Sequence, residues 1–161
     1  MPVPGDEYRN IGRALAGAVA VVAAQERGSG ATVGLTVSTF STLSFDPPLV
    51  MFAIQHDANS YPAVVSCRQF GVSVLAAGQA DVARRFAVKT PDKTQGIPME
   101  TGRTLAVPLV ADALGQIECS TSQIFISGDH AIVVGLVEAA RTRAGDPLLY
   151  YGRCFGTFAA L

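Results

Sequence analysis

The sequence has few of the side chains that build disulfide frameworks or metal centres. Its three cysteines, Cys67, Cys119 and Cys154, are far apart and odd in number, and they have no C-x-x-C spacing. This pattern argues against both a disulfide framework and a zinc site. Because there are only two histidines and no clustered ligand spacing, we expect no metal site. The thiols fit buried residues of a protein in the reducing cytoplasm.

Strong charge of one sign and long apolar runs are also lacking. The net charge of −1 provides no basic field for holding nucleic acid. The longest apolar stretch, residues 14–24, is eleven residues long, whereas about 20 are needed to span a bilayer. Asp6 and Glu7 precede it, which does not fit the positive start of a signal peptide. We therefore expect a cytoplasmic protein that binds neither nucleic acid nor membrane.

Three common catalytic or phosphate-binding motifs are absent. There is no G-x-x-x-x-G-K-[ST] loop, and Gly28, Gly30 and Gly34 miss the G-x-G-x-x-G spacing, so no helix-based phosphate cradle is predicted. The G-x-S-x-G motif of a serine nucleophile is also missing.

Apolar segments separated by short turns make up most of the chain. The composition is 49% hydrophobic and 16% charged, and a chain of 161 residues can bury roughly 70% of its unfolded surface. We therefore expect one folded domain over residues 1–161. The patterns predict helices over residues 6–16 and 81–88, and strands over residues 19–24, 33–45, 49–54, 70–77, 116–126, 131–140 and 148–158.

Many strands, few helices and short turns predict a mainly β fold, an antiparallel barrel that is closed or nearly closed. Residues 49–54 are apolar at every position, which is typical of a strand covered on both faces. Residues 90–108 contain several glycines and prolines and predict a long irregular excursion. Residues 127–130 form a hairpin connection, and the last strand is expected to close the sheet.

Six hydroxyl side chains lie within the nine positions 36–44, immediately before the apolar run. A buried hydroxyl without a partner costs about 1 to 3 kcal/mol, so these groups need partners. The partner is either water on an exposed strand face or a polar ligand lying along the strand. Two readings are also open for the basic residues Arg84, Arg85, Lys89 and Lys93, which form a solvated helix face or pair with a phosphate.

Residues 34–50, GLTVSTFSTLSFDPPLV, resemble the motif G-x-T-A-[NS]-S-F-x-S-[VL]-S-x-x-P-P-L-V of the short-chain flavin reductases. Weaker matches follow in the family's order, namely VSVL at 72–75, RRFA at 84–87, GDH at 128–130 and PLLYY at 147–151. The resemblance covers nearly the whole chain. It implies an FMN-binding split barrel, typically a homodimer, that reduces FMN or FAD with NADH or NADPH. The reduced flavin would then diffuse to a separate flavin-dependent monooxygenase.

The resemblance also implies the site residues. The hydroxyl motif would contact the flavin ring and ribityl chain, residues 53–60 and 85–86 would reach toward the phosphate, and residues 150–151 belong to a nicotinamide-binding stretch. The implied cofactor contacts are Thr36, Val37, Ser38, Thr39, Ser44, Ala53, Ile54, Asn59, Ser60, Arg85, Phe86, Tyr150 and Tyr151.

His130, the histidine of the G-D-H match, would lie near the reacting nicotinamide as the catalytic residue, although a lone histidine in a turn can also be structural. The family pattern places an arginine before a glycine near the C-terminus, whereas this chain has Gly152 before Arg153. The reversal predicts that the arginine side chain points to the opposite strand face. It keeps open a flavin-binding carrier or sensor without turnover, beside a flavin-retaining oxidase and a plain structural barrel.

Overall fold

The computed structural model describes residues 2–161 and contains three short α-helices and twelve strands. The helices are α1 (Gly5–Ala14), α2 (Tyr61–Ser66) and α3 (Ala80–Ala87), with a 3-10 turn at Ala77–Gln79 before α3. The strands are β1 (Gly17–Ala18), β2 (Ala20–Gln25), β3 (Thr32–Val37), β4 (Ser41–Phe45), β5 (Pro48–Gln55), β6 (Gln69–Val74), β7 (Met99–Thr101), β8 (Pro108–Val110), β9 (Gly115–Ser127), β10 (His130–Thr142), β11 (Leu149–Tyr151) and β12 (Cys154–Gly156).

Seven of the strands form one antiparallel sheet in the order β3-β2-β6-β9-β10-β5-β4. Its two edge strands, β3 and β4, are consecutive in the chain and are joined by residues 38–40. A flat sheet of seven strands would place its edges about 29 Å apart, whereas this connection spans at most about 14 Å. The sheet must therefore curl into a barrel with a seam between β3 and β4. We call residues 38–40 the seam connection.

The seam explains the predicted strand over residues 33–45. Every pairing in the sheet is antiparallel, so β3 and β4 run in the same direction and the chain passes from one edge of the sheet to the other. The prediction of one continuous strand was wrong at the seam connection. A bulge at Leu43 shifts the β4–β5 register, and both Leu43 and Phe45 are exposed.

Strand β2 is the one that is covered on both faces. Val22 belongs to the core inside the barrel, around the edge-to-face pair Phe52 and Phe70. Val21 belongs to a second core beneath α3, which includes Phe86. Strand β5 is buried on one face only, so the prediction for residues 49–54 was wrong in this respect. An all-apolar run does not distinguish a doubly covered strand from one whose second face is half-buried.

The C-terminal strands form a small sheet of their own. Strand β11 pairs with β1 and with β12, in the order β1-β11-β12, and does not join the seven-stranded sheet. The prediction that residues 148–158 close the main sheet was therefore wrong. Helix α2, which has only six residues, was not predicted.

The irregular excursion at 90–108 is confirmed apart from β7, and a buried carboxylate fixes its end. Glu118 is 6% exposed and accepts hydrogen bonds from the backbone N–H groups of Arg103, Thr104 and Leu105, at 2.6 to 3.2 Å. Such bonds to an ionised group are stronger than neutral ones. They hold this loop against β9.

Two cysteines match the expectation of buried thiols, and one does not. Burial raises the pKa of the Cys67 thiol and raises that of Cys119 to about 12. Cys154, on β12, is exposed. Within residues 2–161, no helix is long and apolar enough to cross a membrane.

Candidate functional site

A cavity of about 310 Å³ lies beside the seam, where the motif predicted from residues 34–50 meets α3 and the loop after β5. We call it the seam cavity. It brings together many of the predicted site residues, because the barrel places the end of β3, the seam connection and the end of β5 side by side. Those in its wall are Thr36, Val37, Ser38, Thr39, Ala53, Asn59, Ser60, Phe86 and His130.

The hydroxyls along the seam have different partners. Thr36 Oγ1 donates to the carbonyl of Ala83 on α3 at 2.7 Å, and Thr39 Oγ1 accepts from the N–H of Ala53 on β5 at 3.0 Å. These two bonds hold the helix and β5 against the seam. Ser38 is exposed in the cavity wall and, among the described residues, has no hydrogen-bond partner for its hydroxyl. Ser38 therefore presents a free donor and acceptor to a ligand.

Ser60 presents a different kind of unpaired hydroxyl. It lies directly before α2 and is 4% exposed, and its Oγ has no partner among residues 2–161. Buried polar groups are nearly always hydrogen-bonded, and an unmade bond costs about 1 to 3 kcal/mol. An unpaired hydroxyl in a cavity wall is therefore consistent with a ligand partner.

Two lysines give the cavity a positive side. Lys93 Nζ donates to the carbonyls of Gly34 at 2.9 Å and Phe86 at 3.0 Å, and burial lowers the pKa of this ammonium group. Lys89 also lines the cavity and pairs with Asp57 at 3.2 Å on the exposed side. An ammonium group has three donors, so Lys93 retains one for a ligand. Neither lysine was among the predicted contacts, although both belong to the basic group noted in the sequence.

His130 begins β10 at the rim of the same cavity. Its Nδ1 lies 2.6 Å from the Asp129 carboxylate, an interaction that lowers the pKa of Asp129. With Nδ1–H donating to Asp129, the other ring nitrogen, Nε2, is left to act as an acceptor.

A second cavity of about 550 Å³ adjoins the first, and we call it the tyrosine cavity. Thr36, Val37 and Ser38 line both cavities. The remaining wall of the tyrosine cavity includes Tyr150, Phe155, Arg84 and Arg153, and the Arg84 guanidinium lies 5.3 Å from the Phe155 ring centroid. The three shared residues form the boundary between a hydroxyl-rich space with two lysines and an aromatic space with two arginines.

The position of Arg153 differs from the expectation. Strand β11 ends at Tyr151, and Gly152 and Arg153 both have left-handed backbone, with φ of 56° and 71°. The alternation of side chains along a strand does not apply within this turn. Arg153 therefore lines the tyrosine cavity together with Tyr150, and the predicted opposite orientation was wrong.

Four predicted contacts do not line either cavity. Ile54 is fully buried in the barrel core, and Ser44 lies half-buried on β4. Arg85 points toward the excursion, where it donates to the Asp92 carbonyl at 3.1 Å. Tyr151 is 59% exposed. The contacts that the resemblance implies for these side chains stay predictions.

Comparison with known proteins identifies the family. The family model described as "Flavin reductase like domain" matches residues 11–159. This chain belongs to the flavin reductase-like family. Two curated relatives are the actinorhodin polyketide dimerase of Streptomyces coelicolor and the FMN reductase (NADH) SmoA of Agrobacterium fabrum. The first is 38% identical over 88% of this chain and 80% of its own length, and the second 33% identical over 98% and 90%.

A solved structure agrees over nearly the full length. The NADH:FAD oxidoreductase SgcE6 of Streptomyces globisporus superposes with a TM-score of 0.90 at 31% identity, covering 99% of this chain and 98% of that one. Other relatives are named as reductase components of two-component systems. The split-barrel fold predicted from the motif is thus confirmed by the family to which the chain belongs.

The walls of the seam cavity fit the flavin of a flavin reductase-like protein. Val37, Ala53 and Phe86 provide apolar surface for a ring, Ser38 provides a free hydroxyl for a polyol, and the lysines provide charge for a phosphate. Small-molecule sites typically combine such apolar walls with a few converging polar groups. The unpaired Ser60 hydroxyl gives this fit support that is independent of the sequence motif.

Proposed function

We propose that the protein is an NAD(P)H:flavin oxidoreductase that reduces FMN or FAD. The observation that carries this proposal is the pair of adjoining cavities that share Thr36, Val37 and Ser38. One cavity has the groups that suit a flavin, and the other has groups that suit a nicotinamide nucleotide. Two planar ligands held on either side of this boundary would meet there.

Each residue around the seam cavity then has a definite role. Ser38 binds the flavin ring edge or the ribityl hydroxyls, while Thr36 and Thr39 hold α3 and β5 in position through their bonds to Ala83 and Ala53. Lys93 and Ser60 bind the flavin phosphate by charge-assisted and neutral hydrogen bonds.

The nicotinamide nucleotide occupies the tyrosine cavity. Tyr150 stacks against the nucleotide, and Arg153 attracts its phosphates. His130, from the rim of the seam cavity, accepts a hydrogen bond through Nε2 from the nicotinamide carboxamide, because Asp129 holds the proton on Nδ1. When both cofactors are bound, a hydride passes from C4 of the reduced nicotinamide to N5 of the flavin. The protein contributes the approach of the two rings to about 3 to 3.5 Å.

The proposed protein partner is a second copy of this chain. None of the ten residues of α1, all of which are described, is buried, and Tyr8, Ile11 and Leu15 at and beyond this helix are 63 to 70% exposed. An isolated helix of this length is marginal in water, so it needs a surface to pack against. A homodimer would cover these side chains.

The reduced flavin leaves the site and serves a separate flavin-dependent monooxygenase. This step is supported by relatives that are named as reductase components and by the seam motif. We place the reaction in the cytoplasm, where the nicotinamide nucleotides are kept reduced and the three free cysteines remain unpaired. The whole chain acts as one domain.

Anaerobic oxidation of NADH and of NADPH, with FMN and FAD added in turn, tests the proposal. We expect the absorbance at 340 nm to fall only when a flavin is present. Flavin binding without NAD(P)H oxidation would indicate a carrier or sensor, and a protein that purifies yellow and consumes oxygen would indicate an oxidase. A protein that binds neither nucleotide would indicate a structural barrel.

A further inference from the structure

A third cavity, of about 240 Å³, continues from the seam cavity. We call it the hairpin cavity because it lies beside the β2–β3 hairpin. Asn59, Ser60 and Lys93 line both spaces and form the boundary between them. Beyond this boundary the wall includes Glu26 and Thr90.

The boundary carries unsatisfied polar groups from two separate loops. The Thr90 hydroxyl, like that of Ser60, is buried and has no partner among the described residues. Lys93 has one donor left after its bonds to the carbonyls of Gly34 and Phe86. An ammonium group and two hydroxyls together suit the oxygens of a phosphate or diphosphate.

The size of the spaces indicates how much of a flavin nucleotide they hold. Sites for small ligands typically have about 300 to 1,000 Å³, so the seam cavity is at the lower limit and the hairpin cavity is below it. Joined at Ser60 and Lys93, they form a groove within that range. A flavin whose phosphate lies at this boundary has its ring in the seam cavity, and anything attached to the phosphate extends into the hairpin cavity.

We propose that the hairpin cavity binds the adenosine half of FAD, so that this chain prefers FAD to FMN. The proposal rests on the proposed flavin site. The Glu26 carboxylate, which accepts from Ser29 Oγ at 2.7 Å, has further capacity to accept from ribose hydroxyls. Ala31, Val33 and Pro91 offer apolar surface to the adenine. The family does not decide this preference, since one relative is named for FMN and another for FAD.

Ala31→Trp tests the proposal by filling the hairpin cavity. The Ala31 side chain is exposed in the turn, whose conformation is held by backbone bonds such as Glu26 N–H to the Ala31 carbonyl at 2.8 Å. Arg27→Trp, in the same turn, is the matched control because Arg27 lines a different cavity. Dissociation constants for FAD, FMN and riboflavin are measured by quenching of flavin fluorescence in all three proteins.

We expect the wild-type protein to bind FAD at least tenfold more tightly than FMN. Ala31→Trp should reduce that ratio to about one by weakening FAD binding alone, and Arg27→Trp should leave it unchanged. If FMN binds as tightly as FAD in the wild-type protein, or if Ala31→Trp weakens both flavins equally, the proposal is wrong while the flavin site stands. If no flavin binds at all, the proposed function fails with it.

Discussion

The hydroxyl groups between Thr36 and Ser44 divide according to what their oxygen atoms contact. Thr36 and Thr39 bond to the backbone of α3 and β5, and Ser41 bonds to the carbonyl of Thr42. Ser38 is left free in the wall of the seam cavity. The sequence motif therefore combines side chains that position the neighbouring elements with at least one that is available to a ligand.

Ser38→Ala should weaken flavin binding without affecting stability. Loss of one hydrogen bond costs about 0.5 to 1.5 kcal/mol, so the dissociation constant should rise roughly two- to tenfold. Fluorescence titration measures the affinity, and a thermal melt should give an unchanged Tm. An unchanged flavin affinity would remove Ser38 from the site.

Thr36→Val should have its main effect on stability. The substitution keeps the shape but leaves the Ala83 carbonyl without its 2.7 Å bond, which costs about 1 kcal/mol. For a domain of this size the Tm should fall by about 2 to 4 °C. A Tm equal to that of Ser38→Ala would contradict the division of roles between the two hydroxyls.

Lys93 should make flavin binding depend on pH. Burial lowers the pKa of this ammonium group in the free protein, and a bound phosphate raises it again by favouring the charged form. FMN binding should therefore take up a proton at pH values between the two pKa values, and its affinity should fall as the pH rises above the lowered one. Calorimetry in buffers of different ionisation enthalpy measures the uptake.

Two comparisons isolate the contribution of Lys93. Riboflavin, which has no phosphate, should bind without this proton uptake. Lys93→Arg keeps its charge at every accessible pH, so FMN binding to this variant should lose the pH dependence. Equal proton uptake with riboflavin would show that another group titrates.

At the scale of secondary-structure elements, the loop held by Glu118 shows how one side chain can replace regular structure. The carboxylate accepts N–H groups from three consecutive residues, 103–105, and the carboxylate leaves no room for a side chain at Gly102, where a Cβ would lie 2.4 Å from Glu118 Oε2. The end of the excursion is thus built around this buried group.

Glu118→Gln should destabilise the fold by about 1.5 to 3 kcal/mol, because the neutral amide gives weaker bonds and introduces a donor facing other donors. Denaturant unfolding measures the loss. Glu138→Gln is the control, since Glu138 is exposed and bonds only to Ser120. Similar unfolding free energies for the two variants would contradict the anchoring role.

The sequence was sufficient to predict most strands and the site motif, but not the contacts that depend on where the sheet closes. Alternation in residues 33–45 predicted extended chain, and it cannot indicate that β3 and β4 lie at opposite edges. Lys93 was predicted as part of a basic surface because its two carbonyl partners, on Gly34 and Phe86, come together only in the fold. Arg153 was misplaced because a strand period was extended through a turn.

At the scale of the whole molecule, the exposed apolar side chains of α1 make the proposed dimer testable. Ile11→Glu should place a charge in the interface and shift the protein toward a monomer, as measured by analytical ultracentrifugation. Arg9→Ala, on the same helix and 70% exposed in its ion pair with Asp6, should leave the mass unchanged. A wild-type protein that sediments as a monomer would exclude the dimer.

The seam connection gives the molecule a part whose length cannot vary. Because side chains alternate along a strand, one inserted residue between Val37 and Ser41 would turn the following strand inside out, as well as slackening the only covalent link across the opening of the barrel. Related chains can therefore lengthen or shorten the excursion at 90–108, whereas a change of one residue in this tripeptide removes the site and the closure together.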